Sequence, residues 1–369
     1  MYTPIIKDKK FVTYDEKPVF CADYRAISND LKNPYSLTVM MQGPLKSEDD
    51  FTIETLKLYK QTFPNCQIIL STWKTEDPRA IKKIRALGVD VLLNDAPETK
   101  GLFNINYQIL STQNGLKYAK EKGAEYVIKT RTDQRFYETN IPQFLFNLLK
   151  VFPVYDANVQ KARLITLSFD TFKYRLYDVS DMFLFGHIDD VIKFWSCDFE
   201  NRTKTPKWKN MLDYCKLKFS EIYFTVEYLE KLGYKLDWTL KNSWQAYARY
   251  FCIVDAHSFG LYWPKYYNFV NRWRNFLGVN PQLEELTFKE WFNFYSDLDN
   301  IEAANGDEWL LNGFKLKPSI LMNEAIFEKK PPFYVKAAKK ITKFLYRKKV
   351  GDGKVTIKIC KIQVWKKKI

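Results

Sequence analysis

The sequence predicts an α/β protein: a mainly parallel central sheet flanked by helices, followed by a short basic C-terminal helix and hairpin. Three observations carry this. From residue 35 to residue 136, apolar runs of strand length alternate with stretches of helical periodicity in the order β-α-β-α-β-α-β, the pattern of parallel strands joined by helical crossovers. Some of those runs lack polar alternation, as strands buried on both faces do. Charge, finally, is segregated. Residues 329–369 carry 15 Lys+Arg against the single acid Asp352, which is +14 of the formal +15. The body is therefore near neutral and the tail is the basic element.

The elements follow in order. "YSLTVMMQGPL" (35–45) is a strand stopped by Gly43-Pro44. Phe51, Thr55, Leu58 and Tyr59 recur at helical spacing and predict a helix that ends before "FPN" (63–65). "QIILSTW" (67–73) is a second strand, "DPRAIKKIRALG" (77–88) a short helix closed by Gly88, and "VDVLLND" (89–95) a third strand. "NINYQILSTQNGLKYAKEKG" (104–123) is an amphipathic helix ended by Gly123. It leads into "YVIKTRTDQRF" (126–136), where Tyr126, Val127 and Ile128 suit a buried strand and Lys129, Arg131, Asp133 and Arg135 crowd its end.

In the second half, "SDMFLFG" (180–186) predicts a strand, "SEIYFTVEYLEKLGY" (220–234) a helix with a capping-like Ser220, and "RYFCIVD" (249–255) another strand. The character changes near Pro318, so one domain is expected over 1–317 and a separate segment over 318–369. There "PPFYVKAAKKITKFLYRKK" (331–349) places Phe333, Ala337, Ile341, Phe344 and Leu345 on one helical face, and "VGDGKVTIKICKIQVW" (350–365) reads as a hairpin around Gly351-Asp352-Gly353.

Composition removes several classes. Hydrophobic residues at 46% exclude a disordered chain, and 17% aromatics with only 13 glycines exclude collagen-like and low-complexity sequences. No signal-peptide run opens the chain and no segment reaches the roughly 18 apolar residues of a membrane span, so a cytoplasmic protein is expected. Cys21, Cys66, Cys197, Cys215, Cys252 and Cys360 form no CxxC pair and read as buried free thiols. His187 and His257 are the only histidines, which argues against a histidine-rich metal site. A neutral body without a recognition motif argues against nucleic acid as a partner. The lack of a Gly/Lys-rich phosphate loop argues against a nucleotidyltransferase.

Sheets of this kind bind ligands at the carboxyl ends of their strands. Asp133, ringed by bases at such an end, suits a cation bridging a diphosphate: the carboxylate holds the ion while neighbouring bases neutralise phosphate oxygens. The same spacing equally suits a helix cap or an ion pair with Arg131 or Arg135.

"SLTVMMQGPL", "FPNCQIILSTW", "NINYQ", "YVIKTRTDQRF", "SDMFLFG" and "RYFCIVDAHSFGLYWPKY", in that order over roughly residues 35–270, resemble the WavE family of lipopolysaccharide-synthesis proteins. The resemblance implies a GT-A type glycosyltransferase, with one Rossmann-like domain, a nucleotide-sugar donor and TRTD where such enzymes usually carry Asp-x-Asp. Here Arg131 stands at the first Asp. That leaves Mn²⁺ or Mg²⁺ to Asp133, or the diphosphate to Arg131 and Arg135 alone.

Further roles follow from the resemblance. Gln42 and Gly43 would admit the nucleotide to the backbone, and Lys129 would join Arg131 and Arg135 on the donor. Ser71, Thr72 and Trp73 would hold ribose and base, although Trp73 equally suits a core position. Asn106 and Gln108 would line the same rim. Glu221 is the expected general base, with Asp181 and Asp255 as alternatives; an acid at a helix start is also favoured for dipole reasons alone. His257 is the candidate second metal ligand. The implied acceptor is lipid-linked or oligosaccharide: lipopolysaccharide, lipooligosaccharide or capsule. The implied chemistry is inverting, and the basic tail is expected to bind the anionic inner face of the cytoplasmic membrane. Another nucleotide-dependent transferase in surface-polysaccharide synthesis is the alternative.

Overall fold

Leu37 to Gln42 has no charged residue, and all six positions are buried, so this strand is covered on both faces. A computed structural model describes residues 18–20, 35–264, 284–303 and 311, together with strands at Ile5–Ile6, Lys10–Phe11, Tyr346–Gly351, Lys354–Ile359 and Ile362–Lys368. The chain divides into two compact units, Met1–Phe314 and Lys315–Ile369.

In the first unit, β1 (Leu37–Gln42), α1 (Phe51–Thr62), β2 (Gln67–Trp73), α2 (Pro78–Ala86), β3 (Asp90–Asn94), α3 (Ile105–Glu121) and β4 (Tyr126–Arg131) follow the predicted order. Then come β5 (Arg135–Phe136), α4 (Ile141–Val151), β6 (Leu164–Leu167), β7 (Leu184–His187), α5 (Ile188–Trp195), α6 (Met211–Lys216), α7 (Glu221–Lys231), α8 (Leu240–Tyr250), β8 (Phe251–Val254), β9 (Leu261–Tyr262) and α9 (Phe288–Ser296). The seven-stranded sheet runs β8-β6-β7-β4-β1-β2-β3. Strands β4, β1, β2 and β3 are mutually parallel, β8 is parallel to β6, and β7 is antiparallel to both neighbours.

The chain winds outward from β1 through β2 to β3, then α3 carries it back across to β4 on the other side of β1. That reversal sets the carboxyl ends of β1 and β4 side by side, the switch point at which sheets of this type bind ligands. The register aligns Gln42 with both Ser71 and Arg131 along this rim. Helix α3 lies directly on the sheet: a Cβ on Gly115 would come within 2.8 Å of Met40 Sδ and 3.1 Å of Ser71 Cβ.

Three expectations need correction. The strand in "SDMFLFG" begins only at Leu184 and runs against its neighbours. Its lead-in, with Asp178 and Asp181, therefore reaches the same edge as the carboxyl ends of the parallel strands. Arg249 and Tyr250 close α8, so the strand predicted from residue 249 starts at Phe251. Ser220 makes no side-chain cap on α7, because its backbone is turned to φ 44°.

Cys66, Cys197, Cys215 and Cys252 are buried free thiols; Cys21 and Cys360 lie outside the described residues. No helix among the described residues is long and apolar enough to cross a membrane.

The second unit is an antiparallel meander of β10 (Tyr346–Gly351), β11 (Lys354–Ile359) and β12 (Ile362–Lys368). Gly351 pairs with Lys354, which closes the expected hairpin around residues 352–353. The basic helix expected over 331–349 lies outside the described residues as far as 345, and Tyr346–Lys349 form strand instead. Pairing sets Arg347 opposite Lys358 and Lys354 opposite Lys368.

Candidate active site

The chain segments that follow β1 and β4 are laced together. Gly43 has φ +120° and donates its N–H to Ser71 O (3.1 Å). A Cβ there would sit 2.9 Å from Thr132 Oγ1, so the position needs glycine for both its backbone and its space. The Thr132 N–H donates to Gln42 O (3.1 Å), its hydroxyl to Pro44 O (2.6 Å), and the Thr52 hydroxyl to Thr132 O (3.0 Å). The loops after β1 and β4 are thereby fixed to each other.

Above this seam Arg131 grips Asp133 with two parallel bonds, Nε to Oδ1 at 2.9 Å and a terminal nitrogen to Oδ2 at 3.1 Å. The guanidinium lies 5.3 Å over the Trp263 ring. Trp263 arrives there because the chain leaves β8 on the edge of the sheet, turns at Gly260 (φ 57°) and pairs β9 with β5, Tyr262 opposite Arg135. Burial pushes the Asp133 carboxyl up, but the Arg131 charge and hydrogen bonds, joined by the Trp263 indole and Asp133's own backbone, outweigh it and hold it below the usual carboxylate range.

Behind Arg131 on the same strand, Lys129 is fully buried. Its ammonium donates to the Asp181 carbonyl at 2.5 Å and sits 4.3 Å over the Trp195 ring. Burial pulls Lys129 down to about 7; Asp181, Asp133 and Glu221 oppose that shift, while Arg131 adds to it. Lys129 thus lies within electrostatic reach of both the Arg131–Asp133 pair and the acids Asp181 and Glu221. Glu221 opens α7 directly after Ser220, whose φ 44° and ψ −115° are strained for a residue with a Cβ. Burial, then the charges of Asp181, Asp178 and Asp170, push the Glu221 carboxyl well above its ordinary range. Asp178 is itself raised to about 7 by burial, despite Arg175 at 3.4 Å.

The structure therefore brings together Gly43, Lys129, Arg131, Asp133, Asp181 and Glu221. The other expected residues have different surroundings. Ser71 and Gln42 belong to a buried polar seam: the Ser71 hydroxyl donates to Ser111 O (2.6 Å) and accepts from Asn94 (2.9 Å), and Ser111 Oγ lies 3.0 Å from Gln42 Oε1. The Thr72 hydroxyl donates to Glu76 (3.2 Å). Trp73 packs on Tyr107 and floors a cleft of about 260 Å³ edged by Lys74, Lys82 and Arg85.

Asn106 spends its amide on the fold, donating to Thr99 O and Glu200 O and accepting from Glu200 N at 2.7 Å. The buried Oε1 of Gln108 has no partner among the described residues. Arg135, 1% exposed, donates to Thr55, Tyr137, Val19 O and Phe51 O, and so ties down the start of α1. Asp255, after edge strand β8, accepts from Phe288 N (3.1 Å) and anchors α9; His257 is exposed in the turn that follows. Asp170, Asp178, Trp195 and Trp263 were not expected as site residues. Trp263 stood inside a quoted motif, but nothing local in the sequence points to the other three.

Lys129 allows a direct check. The fold binds the Lys129 proton less tightly than the unfolded chain does, so its charge penalises folding below about pH 7, and the penalty is relieved as pH rises towards 10.5. Lys129→Met should raise stability near pH 7, where the charged form still penalises folding. Thermal melts from pH 6 to 10 should show a flatter rise for the variant. A lower melting temperature at pH 7 would contradict this.

A divalent cation was expected at Asp133 with His257 as a second ligand. Both Asp133 oxygens are held by Arg131, and among the described residues no three His, Cys, Asp or Glu side chains converge as a metal-binding group. The side chains present do not fit a resident Mn²⁺ or Mg²⁺.

Comparison with known proteins adds a family. No curated protein matches the chain. Among solved structures, a cytidylyltransferase from Leptospira borgpetersenii serovar Hardjo-bovis is similar at 14% identity and TM-score 0.28, over 54% of this chain and 94% of that one. Glucosyl-3-phosphoglycerate synthase from Mycobacterium tuberculosis, in complex with Mn²⁺, UDP and phosphoglyceric acid, is similar at 10% identity and TM-score 0.30, over 55% and 81%. Mouse xyloside xylosyltransferase 1 gives 8% identity and TM-score 0.29, over 59% and 84%. The family model described as WavE lipopolysaccharide synthesis matches residues 37–300, most of the first unit. By that match the chain belongs to the WavE lipopolysaccharide synthesis family.

Proposed function

We propose that this protein is a GT-A type glycosyltransferase that moves a sugar from a nucleotide-sugar donor to a lipopolysaccharide, lipooligosaccharide or capsule acceptor. One observation supports the reading: a guanidinium held at the end of β4 (Arg131) and a carboxylate pushed above its ordinary range (Glu221) both lie within electrostatic reach of Lys129 at a sheet's switch point. The first suits a diphosphate leaving group and the second an acceptor hydroxyl.

In the reaction so arranged, Glu221 takes the acceptor's hydroxyl proton as that oxygen bonds to the anomeric carbon. The bond from that carbon to the diphosphate oxygen breaks, and its electron pair leaves with the nucleoside diphosphate. Attack from the face opposite the leaving group inverts the anomeric centre. Lys129 holds the Asp181 backbone beside Glu221. Phosphorus NMR of the products tests the class, since glycosyl transfer releases nucleoside diphosphate, whereas nucleotidyl transfer from a nucleoside triphosphate would release pyrophosphate and sugar-phosphate transfer would release nucleoside monophosphate.

The tail serves the acceptor side in this reading. Like charges directly opposed across strands destabilise a sheet, and the pairs Arg347–Lys358 and Lys354–Lys368 would be relieved by an anionic surface. Residues 318–369 then bring the enzyme to the inner face of the cytoplasmic membrane. Co-flotation of the full chain with phosphatidylglycerol vesicles should fall steeply as salt shortens the Debye length to about 8 Å and below. Flotation independent of salt would contradict it.

A further inference from the structure

We infer that Arg131 occupies the charge-neutralising place of a divalent cation, so that the chain binds its donor's diphosphate without metal. This rests on the glycosyltransferase reading for the identity of the ligand, but it concerns the binding step alone. Arg131 is the last residue of β4 and stands in register with Gln42, so it is anchored at the switch point where sheets of this type bind ligands.

A guanidinium offers five donors in a plane, and Asp133 engages two of them, along one edge, at 2.9 and 3.1 Å. Asp133 here orients a cation that the chain carries itself. The Trp263 ring, its centroid 5.3 Å from the guanidinium carbon, packs against that cation.

The same geometry works against an ion. A divalent cation on Asp133 would have to displace the bidentate arginine and then sit close to two positive side chains, Arg131 and the buried Lys129, with a single carboxylate in return. Arginine, unlike a bound ion, is present at any metal concentration and stays charged throughout the working pH range.

Calorimetric titration of the full chain with UDP, CDP, GDP and ADP, in EDTA and then in Mn²⁺, tests this without any acceptor. At least one nucleoside diphosphate should bind in EDTA, with an affinity that Mn²⁺ changes less than threefold. Arg131→Ala should lose about 100-fold or more of that affinity, with no recovery on adding Mn²⁺. Arg131→Lys, which keeps the charge but not the fork, should recover part of it. Binding that requires Mn²⁺ overturns the inference and leaves the glycosyltransferase reading standing. Metal-free binding with no sugar transfer to any acceptor supports the inference and overturns that reading. Binding of none of the four under either condition overturns both.

Discussion

Glu221→Gln lowers kcat by about 10² to 10⁴ with donor affinity unchanged, the loss expected when a general base is removed and its shape is kept. The amide can still occupy the start of α7 but cannot accept the acceptor's proton. A second readout follows from its surroundings. Burial and the charges of Asp181, Asp178 and Asp170 hold Glu221 protonated beyond the ordinary carboxylate range, so wild-type kcat/KM climbs with pH along a limb displaced upward from that range. Asp178→Asn removes one like charge and should move the limb to lower pH. A Glu221→Gln variant that lost only donor affinity would transfer the role to Asp181.

Asp133→Ala should lower kcat/KM by about 100-fold and leave the fold intact. The Arg131–Asp133 pair is partly exposed, at 20% and 26% of the side chains, and such pairs contribute little to stability. What the variant loses is the aim of the guanidinium. The effect should therefore appear mainly in the KM for the donor, and Asp133→Asn should recover part of it, because an amide oxygen still accepts from Arg131. The Arg131→Ala variant should be the more damaged of the two, since it removes the cation rather than its orientation. Equal, full activity in both would leave the switch point without a ligand.

Much of this architecture was legible in the residues. Leu37–Gln42 and Gln67–Trp73 are uncharged, mainly apolar runs of strand length, as strands covered on both faces are, and Gly88 and Gly123 mark helix ends as their φ of 72° and 86° require. The direction of β7 was not legible, because "FLFG" is equally apolar whichever way it runs. Reversal of that one strand is what brings Asp178 and Asp181 to the rim. Arg135 was read as a donor ligand from its nearness to Asp133 in sequence, whereas the turn after Arg131 sends it to α1. The amides near Asn104 suggested a binding rim, yet Asn106 is matched to Glu200, a partner no local pattern could reveal. Trp263 reaches Arg131 only through the two-residue pairing of β9 with β5.

The measurement closest to the central claim is the mass of the acceptor. The full-length protein would be incubated with a panel of nucleotide sugars and a truncated lipooligosaccharide, and the acceptor followed by mass spectrometry. The account predicts that, with one donor, the acceptor gains the mass of a single sugar residue, an equal amount of nucleoside diphosphate appears, and both signals vanish in Glu221→Gln. An acceptor gaining a nucleotidyl or phosphoryl mass, or a gain undiminished in Glu221→Gln, would contradict it.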